Sequence, residues 1–194
     1  MLNHSDNDLE IIRRVIEGDV NAYNYLLKKY KNYVFKIISK HVPYDQTEET
    51  AHEVFVRAYQ SLPTFKNKSS FKQWLSKIAV RTCYDFWRKA YKSRELPMSS
   101  LTENQQAWLE NIISDQSDES FYEQGRRKEA LEVLNYAMEK LSPEDRMVLE
   151  LIYLEGLSGK EAADLLGWSL ANVKIRALRS RRKLHQLLIE SPKD

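Results

Sequence analysis

The sequence predicts an all-α protein: two small helical domains joined by a flexible acidic linker. Three observations carry that reading. Apolar residues recur at three- and four-residue spacing over most of the chain, and no stretch alternates convincingly with a period of two. Only five Gly and five Pro occur in 194 residues, so chain breaks are few and fall where helices should end. Between residues 93 and 124 the periodicity fades, Pro97 and several Ser appear, and acids accumulate (Glu95, Glu103, Glu110, Asp115, Asp118, Glu119, Glu123) against one base, Arg94. So long an irregular span is uncommon inside one compact domain. The expected division is therefore 1–92, a linker over 93–124, and 125–194.

The elements follow in order. Leu9, Ile12, Val15 and Ile16 form a helical stripe that stops at Gly18, a good residue just past a helix end. Asp19 should cap a second helix carrying Leu26, Leu27, Tyr30, Val34, Ile37 and Ile38, which Pro43 stops. Asp45 with Glu48 looks like a capping box for a third helix, marked by Ala51, Val54, Phe55, Ala58, Tyr59 and Leu62. After a loop, Ser70 with Gln73 should cap a fourth helix from Phe71 to about Tyr91, its stripe being Phe71, Trp74, Leu75, Ile78, Ala79, Thr82 and Phe86. The linker has room for one short helical turn around Trp108 and Leu109.

Helical patterning resumes from Arg126 with Ala130, Val133, Leu134, Ala137, Met138 and Leu141. Ser142-Pro143-Glu144-Asp145 is a strong helix start, with a cap, Pro in the first turn and acids at the positive end of the dipole. Gly156 should stop that helix. Ser158 and Glu161 form another capping box, opening a short helix to Leu166; Gly167 turns the chain, and Ser169 caps a last helix to about Ile189.

Composition narrows the function classes. The single Cys83 excludes an internal disulfide and sits in an apolar helical pattern, so it is expected to be a buried thiol. His4, His41, His52 and His185 are scattered without a second ligand at metal spacing. No catalytic residue, metal or cofactor is implied, which argues against an enzyme. No apolar run reaches membrane-spanning length and the N-terminus lacks a basic-then-apolar leader pattern, so the cytoplasm is expected and no membrane contact. The net charge of +2 says little; the arrangement of charge says more.

A short helix, a Gly turn and a second helix make a helix-turn-helix, with Ala162, Ala163, Leu165, Leu166, Val173 and Leu178 expected to pack the pair. Its second helix bears Lys174, Arg176, Arg179, Arg181, Arg182 and Lys183, with no acid between Ser169 and Ile189. A merely solvated helix face would interleave acids. Early positions (Ser169, Ala171, Asn172, Lys174, Ile175, Arg176) suit base edges in a major groove, and Arg179 and Arg182 suit phosphates. A second basic stretch, Phe65 to Arg94, interleaves Lys66, Lys68, Lys72, Lys77, Arg81, Arg88, Lys89, Lys92 and Arg94 with Phe65, Phe71, Trp74, Tyr84, Phe86, Trp87 and Tyr91. Rings that stack on bases beside cations that hold the backbone suit single-stranded nucleic acid. Phe71, Trp74 and Phe86 share the helical stripe and read as core, whereas Phe65, Trp87 and Tyr91 remain candidates for stacking. The third feature is an acidic face: Glu48, Glu49 and Glu53 near a helix start, where the dipole alone could account for them.

The segment from Asp45 to Tyr59 resembles the polymerase-gripping helix of the extracytoplasmic-function (ECF) class of bacterial RNA polymerase sigma factors, in the sigma-70 superfamily. Phe65 to Ala79, followed by Asp85 and Arg88, resembles that family's −10 element reader. Leu157 to Gly167 with Val173-Lys-Ile-Arg176 resembles its −35 helix-turn-helix. The three motifs in this order, covering about Leu9 to Leu188, are highly specific. The resemblance implies core RNA polymerase binding by Glu48, Glu49, His52, Glu53 and Arg57. It implies a melted −10 strand held by Phe65, Lys66, Asn67, Lys68, Ser69, Ser70, Lys77, Arg81 and Arg88. It also implies duplex −35 DNA read by Ser169, Ala171, Asn172, Lys174, Ile175, Arg176, Arg179 and Arg182. His52 and Glu49 stand where family members often carry other polar or acidic residues, which keeps a polymerase contact there; Arg81, Trp168 and Ser169 also depart from the family pattern, which leaves the promoter sequence open. Family members are commonly held by an anti-sigma protein, so such a partner is expected. The alternative is a duplex-binding helix-turn-helix regulator that acts without core polymerase; it leaves the acidic and basic-aromatic stretches unexplained.

Overall fold

A computed structural model of the protein describes residues 4–93, 133, 134 and 136–190. The described residues form helices and short turns, with no strand among them. The N-terminal half holds α1 (His4–Ile16), α2 (Tyr23–His41), α3 (Thr47–Ser61) and α4 (Phe71–Ser93). The C-terminal half holds helical residues 133–134 and 136–139 (α5), then α6 (Pro143–Leu149), α7 (Gly159–Leu166) and α8 (Leu170–Glu190). The linker expected over 93–124 lies outside the described residues, apart from Ser93 at the end of α4.

Most helix starts use the capping residues the sequence offers. Ser70 accepts from the Gln73 N–H while the Gln73 side chain accepts from the Ser70 N–H, both at 3.3 Å. Ser158 and Glu161 form the full reciprocal box, and Ser142 and Ser169 accept from the N–H groups of Asp145 and Asn172. Each such cap is worth about 1 kcal/mol. Asp19 caps as expected, though it starts a single 3-10 turn, Val20–Ala22, that leads into α2. Asp45 does not cap. Residues Tyr44–Gln46 wind a 3-10 turn after Pro43, which leaves Gln46 at the cap position; Asp45 accepts from the Gln46 amide instead. The Thr47 hydroxyl closes that turn by donating to the Pro43 carbonyl.

The core of the N-terminal half is a three-way contact of α2, α3 and α4 with α1 laid across it. Leu26, Val34 and Ile38, then Ala51, Val54 and Ala58, then Leu75, Ala79 and Cys83 recur at turn spacing and are almost wholly buried. The alanines let the helices approach closely, while each fully buried Leu or Ile contributes about 1.5–3 kcal/mol. A separate small core in the C-terminal half joins Leu134, Met138, Leu141 and Leu149, with Leu184 and Leu187 packed against them.

Three side chains depart from the sequence reading. Trp87 is buried, its indole N–H donating to the His41 carbonyl at 2.8 Å, so its ring is not a stacking surface. Leu178 is exposed; Val173, Ala177 and Ser180 are the buried positions of α8, one residue out of step with Leu178. Tyr59 is partly exposed, edge-on to Tyr23. The helix begun at Pro143 also ends differently from expectation. It widens into a π-helical turn over Glu150–Leu154 before Gly156 takes its left-handed φ of 68°.

The two halves touch. Helix α4 packs against α6 and α7, and Met147, Val148, Leu151, Ala162, Leu166 and Val173 belong to one continuous cluster with the N-terminal core.

Candidate nucleic-acid interface

The acidic face is built by the register of α3. Thr47, Thr50, Ala51, Val54 and Ala58 face inward, so Glu48, Glu49 and His52 are left exposed on the outer side. Glu53 and Arg57 are half-buried and face α4. Arg57 donates to Glu53 Oε1 and to Asp85 Oδ2, both at 2.6 Å, while Lys89 and Arg88 approach the same two carboxylates. Burial works against the Arg57 charge, but the two carboxylates outweigh it and hold the guanidinium firmly charged. Of the five expected polymerase contacts, three therefore form a free face and two form a strut between helices. Asp85, whose partnership with Arg57 spans 28 positions, could not be read as that partner from the sequence. Beside the acidic face a groove of about 420 Å³ is lined by Val20, Tyr23, Leu27, His52, Val56 and Tyr59.

The loop from Phe65 to Ser70 begins where a 3-10 turn, Leu62–Thr64, ends α3. Lys66, Asn67 and Lys68 project into solvent, and Asn67 adopts a left-handed φ of 52°, which a short polar side chain tolerates. Phe65 is half-buried, its ring edge-on to Phe71 and tilted against Trp74, with centroids 5.9 and 5.3 Å away. One side of an aromatic cluster thus borders the basic loop. Ser70 is used by the α4 cap, and Ser69 is half-buried beside it. Lys72, which the sequence reading left out of the site, lies over the Tyr33 ring 4.5 Å from its centre. Tyr91 is exposed near the far end of α4.

Farther along α4, Lys77 and Arg81 meet the C-terminal half. Lys77 pairs with Asp164 at 2.7 Å. The Arg81 guanidinium lies against Gly167, in the space a side chain there would need. Arg88 pairs with Asp85 and reaches over Tyr84. The Tyr84 hydroxyl donates to Glu144, and its ring stands edge-on to Trp168. Burial and the Glu144 carboxylate push the Tyr84 hydroxyl up, so it stays a donor.

The helix-turn-helix is as expected: α7, then Gly167 at φ 72°, then α8 opening at Ser169. Ala171, Asn172, Lys174 and Ile175 are exposed on the outer face of α8, as are Arg179 and Arg182 farther along. Arg176 is half-buried: it donates to Asn172 Oδ1 and Asp145 Oδ1 and lies over the Trp168 ring. Among the described residues no group of three or more His, Cys, Asp or Glu side chains is arranged to hold a metal, and no helix is long and apolar enough to cross a membrane.

Comparison with known proteins agrees with this layout. Residues 26–93 match the family model for sigma-70 region 2, and residues 131–184 match sigma-70, region 4. The ECF RNA polymerase sigma-E factor of Escherichia coli (strain K12) is 29% identical over 180 residues, covering 91% of this chain and 92% of that protein. The RNA polymerase sigma-H factor of Pseudomonas aeruginosa is 26% identical over 184 residues, covering 94% of each chain. A solved structure of CnrH in complex with the cytosolic domain of CnrY shares the fold, with a TM-score of 0.52 at 21% identity over 94% of this chain and 97% of that one. With region 2 ending at α4, region 4 holding the helix-turn-helix and an ECF sigma factor similar along nearly the whole length, the chain belongs to the ECF class of sigma-70 family sigma factors.

Proposed function

We propose that this sigma factor recruits core RNA polymerase through the exposed face of α3, holds a melted −10 strand at the loop before α4, and reads duplex −35 DNA with α8. The observation that carries the division is spatial. Glu48, Glu49 and His52 lie in the first turns of α3 and the basic loop follows its far end, about 18 Å away along the axis. A protein partner and a DNA strand can occupy such surfaces together. Arg57 acts as a strut that sets α3 against α4 rather than as a free contact. The chain performs no chemistry and works in the cytoplasm. An anti-sigma protein is its expected inhibitory partner. The division into units 1–92 and 125–194 with a linker between them is part of the same proposal, supported by the separate small core of the C-terminal half.

Glu49→Lys tests the docking face. Glu49 is exposed and takes no part in the strut, so the fold should survive while core binding weakens about tenfold or more. Unchanged affinity for core polymerase, with helicity intact, would remove α3 as the docking element. The regulator alternative predicts that the purified chain retards promoter DNA alone; the sigma reading predicts retardation only with core polymerase. Phe65→Ala tests the strand-holding loop. One lost stacking partner costs about 1–3 kcal/mol, so promoter melting followed with a fluorescent base analogue should slow several-fold or more, with −35 duplex binding unaltered. Normal melting would assign Phe65 to packing on Trp74 alone.

A further inference from the structure

The contact between the halves contains a buried charge cluster whose residues are none of the candidate DNA or polymerase contacts. His41 ends α2 and is 1% exposed. Its Nδ1 lies 2.8 Å from Glu150 Oε2, and its Nε2 lies 2.6 Å from Glu155 Oε1. Both acids come from the other half. Lys40 supports Glu155 at 3.4 Å, and Arg146 of α6 donates to the second oxygen of Glu150 at 3.1 Å. The π-helical turn Glu150–Leu154 sets the two carboxylates on opposite sides of one imidazole; an uncommon turn of this kind is maintained where side chains need such placement. Around this cluster, Lys77 of α4 is held by Asp164 and Arg81 of α4 lies on Gly167. The same closure that pairs His41 therefore covers part of the α4 basic face.

We propose that the free chain rests in this closed form, locked by a buried ionic clasp of His41 between Glu150 and Glu155, and that the clasp must open before α4 engages promoter DNA. The second half of the proposal rests on the sigma reading above.

The clasp titrates. Burial disfavours the His41 charge, but the two carboxylates outweigh burial and raise its pKa from 6.5 to about 9. The α2 C-terminus also favours a cation there. Cys83 of α4 faces the same cluster; burial and the two acids push its thiol well up, so it stays neutral and does not compete. Trp87 of α4 contributes only its N–H to the His41 carbonyl. A group with a raised pKa stabilises the closed form fully below its open-state value and loses that effect as pH climbs. Closure is thus strongest on the mildly acidic side, just below about pH 6.5, and weakens between about pH 6.5 and 9, by roughly two orders of magnitude in the closing equilibrium if opening restores His41 to its ordinary value. On the acid side burial again opposes charge, but His41 and Lys40 hold Glu155 below its ordinary value, so protonation of Glu155 weakens closure only as pH falls into the carboxylate range.

Small-angle X-ray scattering on the full chain tests the clasp without DNA or polymerase. The radius of gyration should stay low at pH 6.5 and rise by several ångströms by pH 9.5, with helicity constant by circular dichroism. Glu155→Gln should open the chain already at pH 6.5, as should Glu150→Gln; Glu155, at 16% exposed, is the variant less able to disturb folding. A chain that is extended at pH 6.5, or one whose size ignores both pH and substitution, overturns the clasp. Glu155→Gln should also bind core polymerase several-fold faster than wild type at pH 6.5. An opened variant with unaltered core and promoter binding overturns the coupling, and a wild type that never binds core polymerase sinks the sigma reading while leaving the clasp intact.

Discussion

Arg146→Ala is expected to remove about 3–5 kcal/mol of stability, more than any surface change in the protein. The side chain is 2% exposed and charged. Burial lowers its pKa, and Glu150 opposes that fall, which keeps the guanidinium ionised inside the protein. Its flat face lies 3.4 Å from the centre of the Trp87 ring while Nε donates to Glu150. Truncation removes a charged partner of Glu150 in a low-dielectric site and exposes one face of Trp87 to an unfilled space. Lys does not rescue this, because an ammonium neither stacks on the indole nor presents a planar fork. Urea unfolding followed by tryptophan fluorescence and circular dichroism measures the loss. A double-mutant cycle with Glu150→Gln should show coupling above about 1 kcal/mol, since the two groups share one network. Additive behaviour, or a loss below about 1 kcal/mol for Arg146→Ala, would mean that the pair is solvated in solution and that the halves are not held together there.

This cluster also marks where sequence reading stops. Helix starts were legible because capping is local: Ser70 and Gln73, Ser158 and Glu161, and Ser142 before Pro143 meet their partners within one turn. The inward stripes of α2 and α3 were legible for the same reason, since burial repeats with the helical period. Asp45 failed as a cap because the preceding Pro43 starts a 3-10 turn one step too early, and such a turn competes with capping at no cost in composition. Trp87 failed because the stripe runs through Thr82 and Phe86 in the sequence reading, whereas the buried line Leu75, Ala79 and Cys83 runs on four residues to Trp87. The face of α4 that carries Trp87 is covered by Arg146 from 59 positions away. His41, Glu150 and Glu155 were invisible as a group because they lie in different halves; each alone reads as an ordinary polar residue on a helix. Of the candidate site, Glu48 and Glu49 of α3 and the outer face of α8 are exposed, as a binding surface requires. Lys77, Arg81 and Arg176 are where the sequence put them but are engaged by partners that no local pattern announces.

The last expected result concerns −35 reading by α8. Asn172 and Arg176 sit four residues apart in the first turns of the helix, already joined through Asn172 Oδ1. Arg is suited to a guanine edge and Asn to an adenine edge, each good bidentate contact contributing about 1–3 kcal/mol of discrimination. Arg176 must first leave Asp145, a contact of 3.3 Å at a part-exposed site, and its place over the Trp168 ring. Exposed pairs of that kind contribute at most about 1 kcal/mol, so a base contact outweighs what is given up. Arg176→Ala should therefore change which −35 sequences the holoenzyme uses, with the preferred site losing tenfold or more in affinity relative to its variants. Arg182, exposed two turns farther along, is placed for phosphate. Arg182→Ala should weaken all promoters alike and reduce the salt slope by about one counterion, leaving the order of preference untouched. Both are measured by competitive binding of holoenzyme to a randomised −35 library at two salt concentrations. A preference profile that Arg176→Ala leaves unchanged, or that Arg182→Ala reshapes, would exchange the two roles and turn the base-reading surface toward the second half of α8.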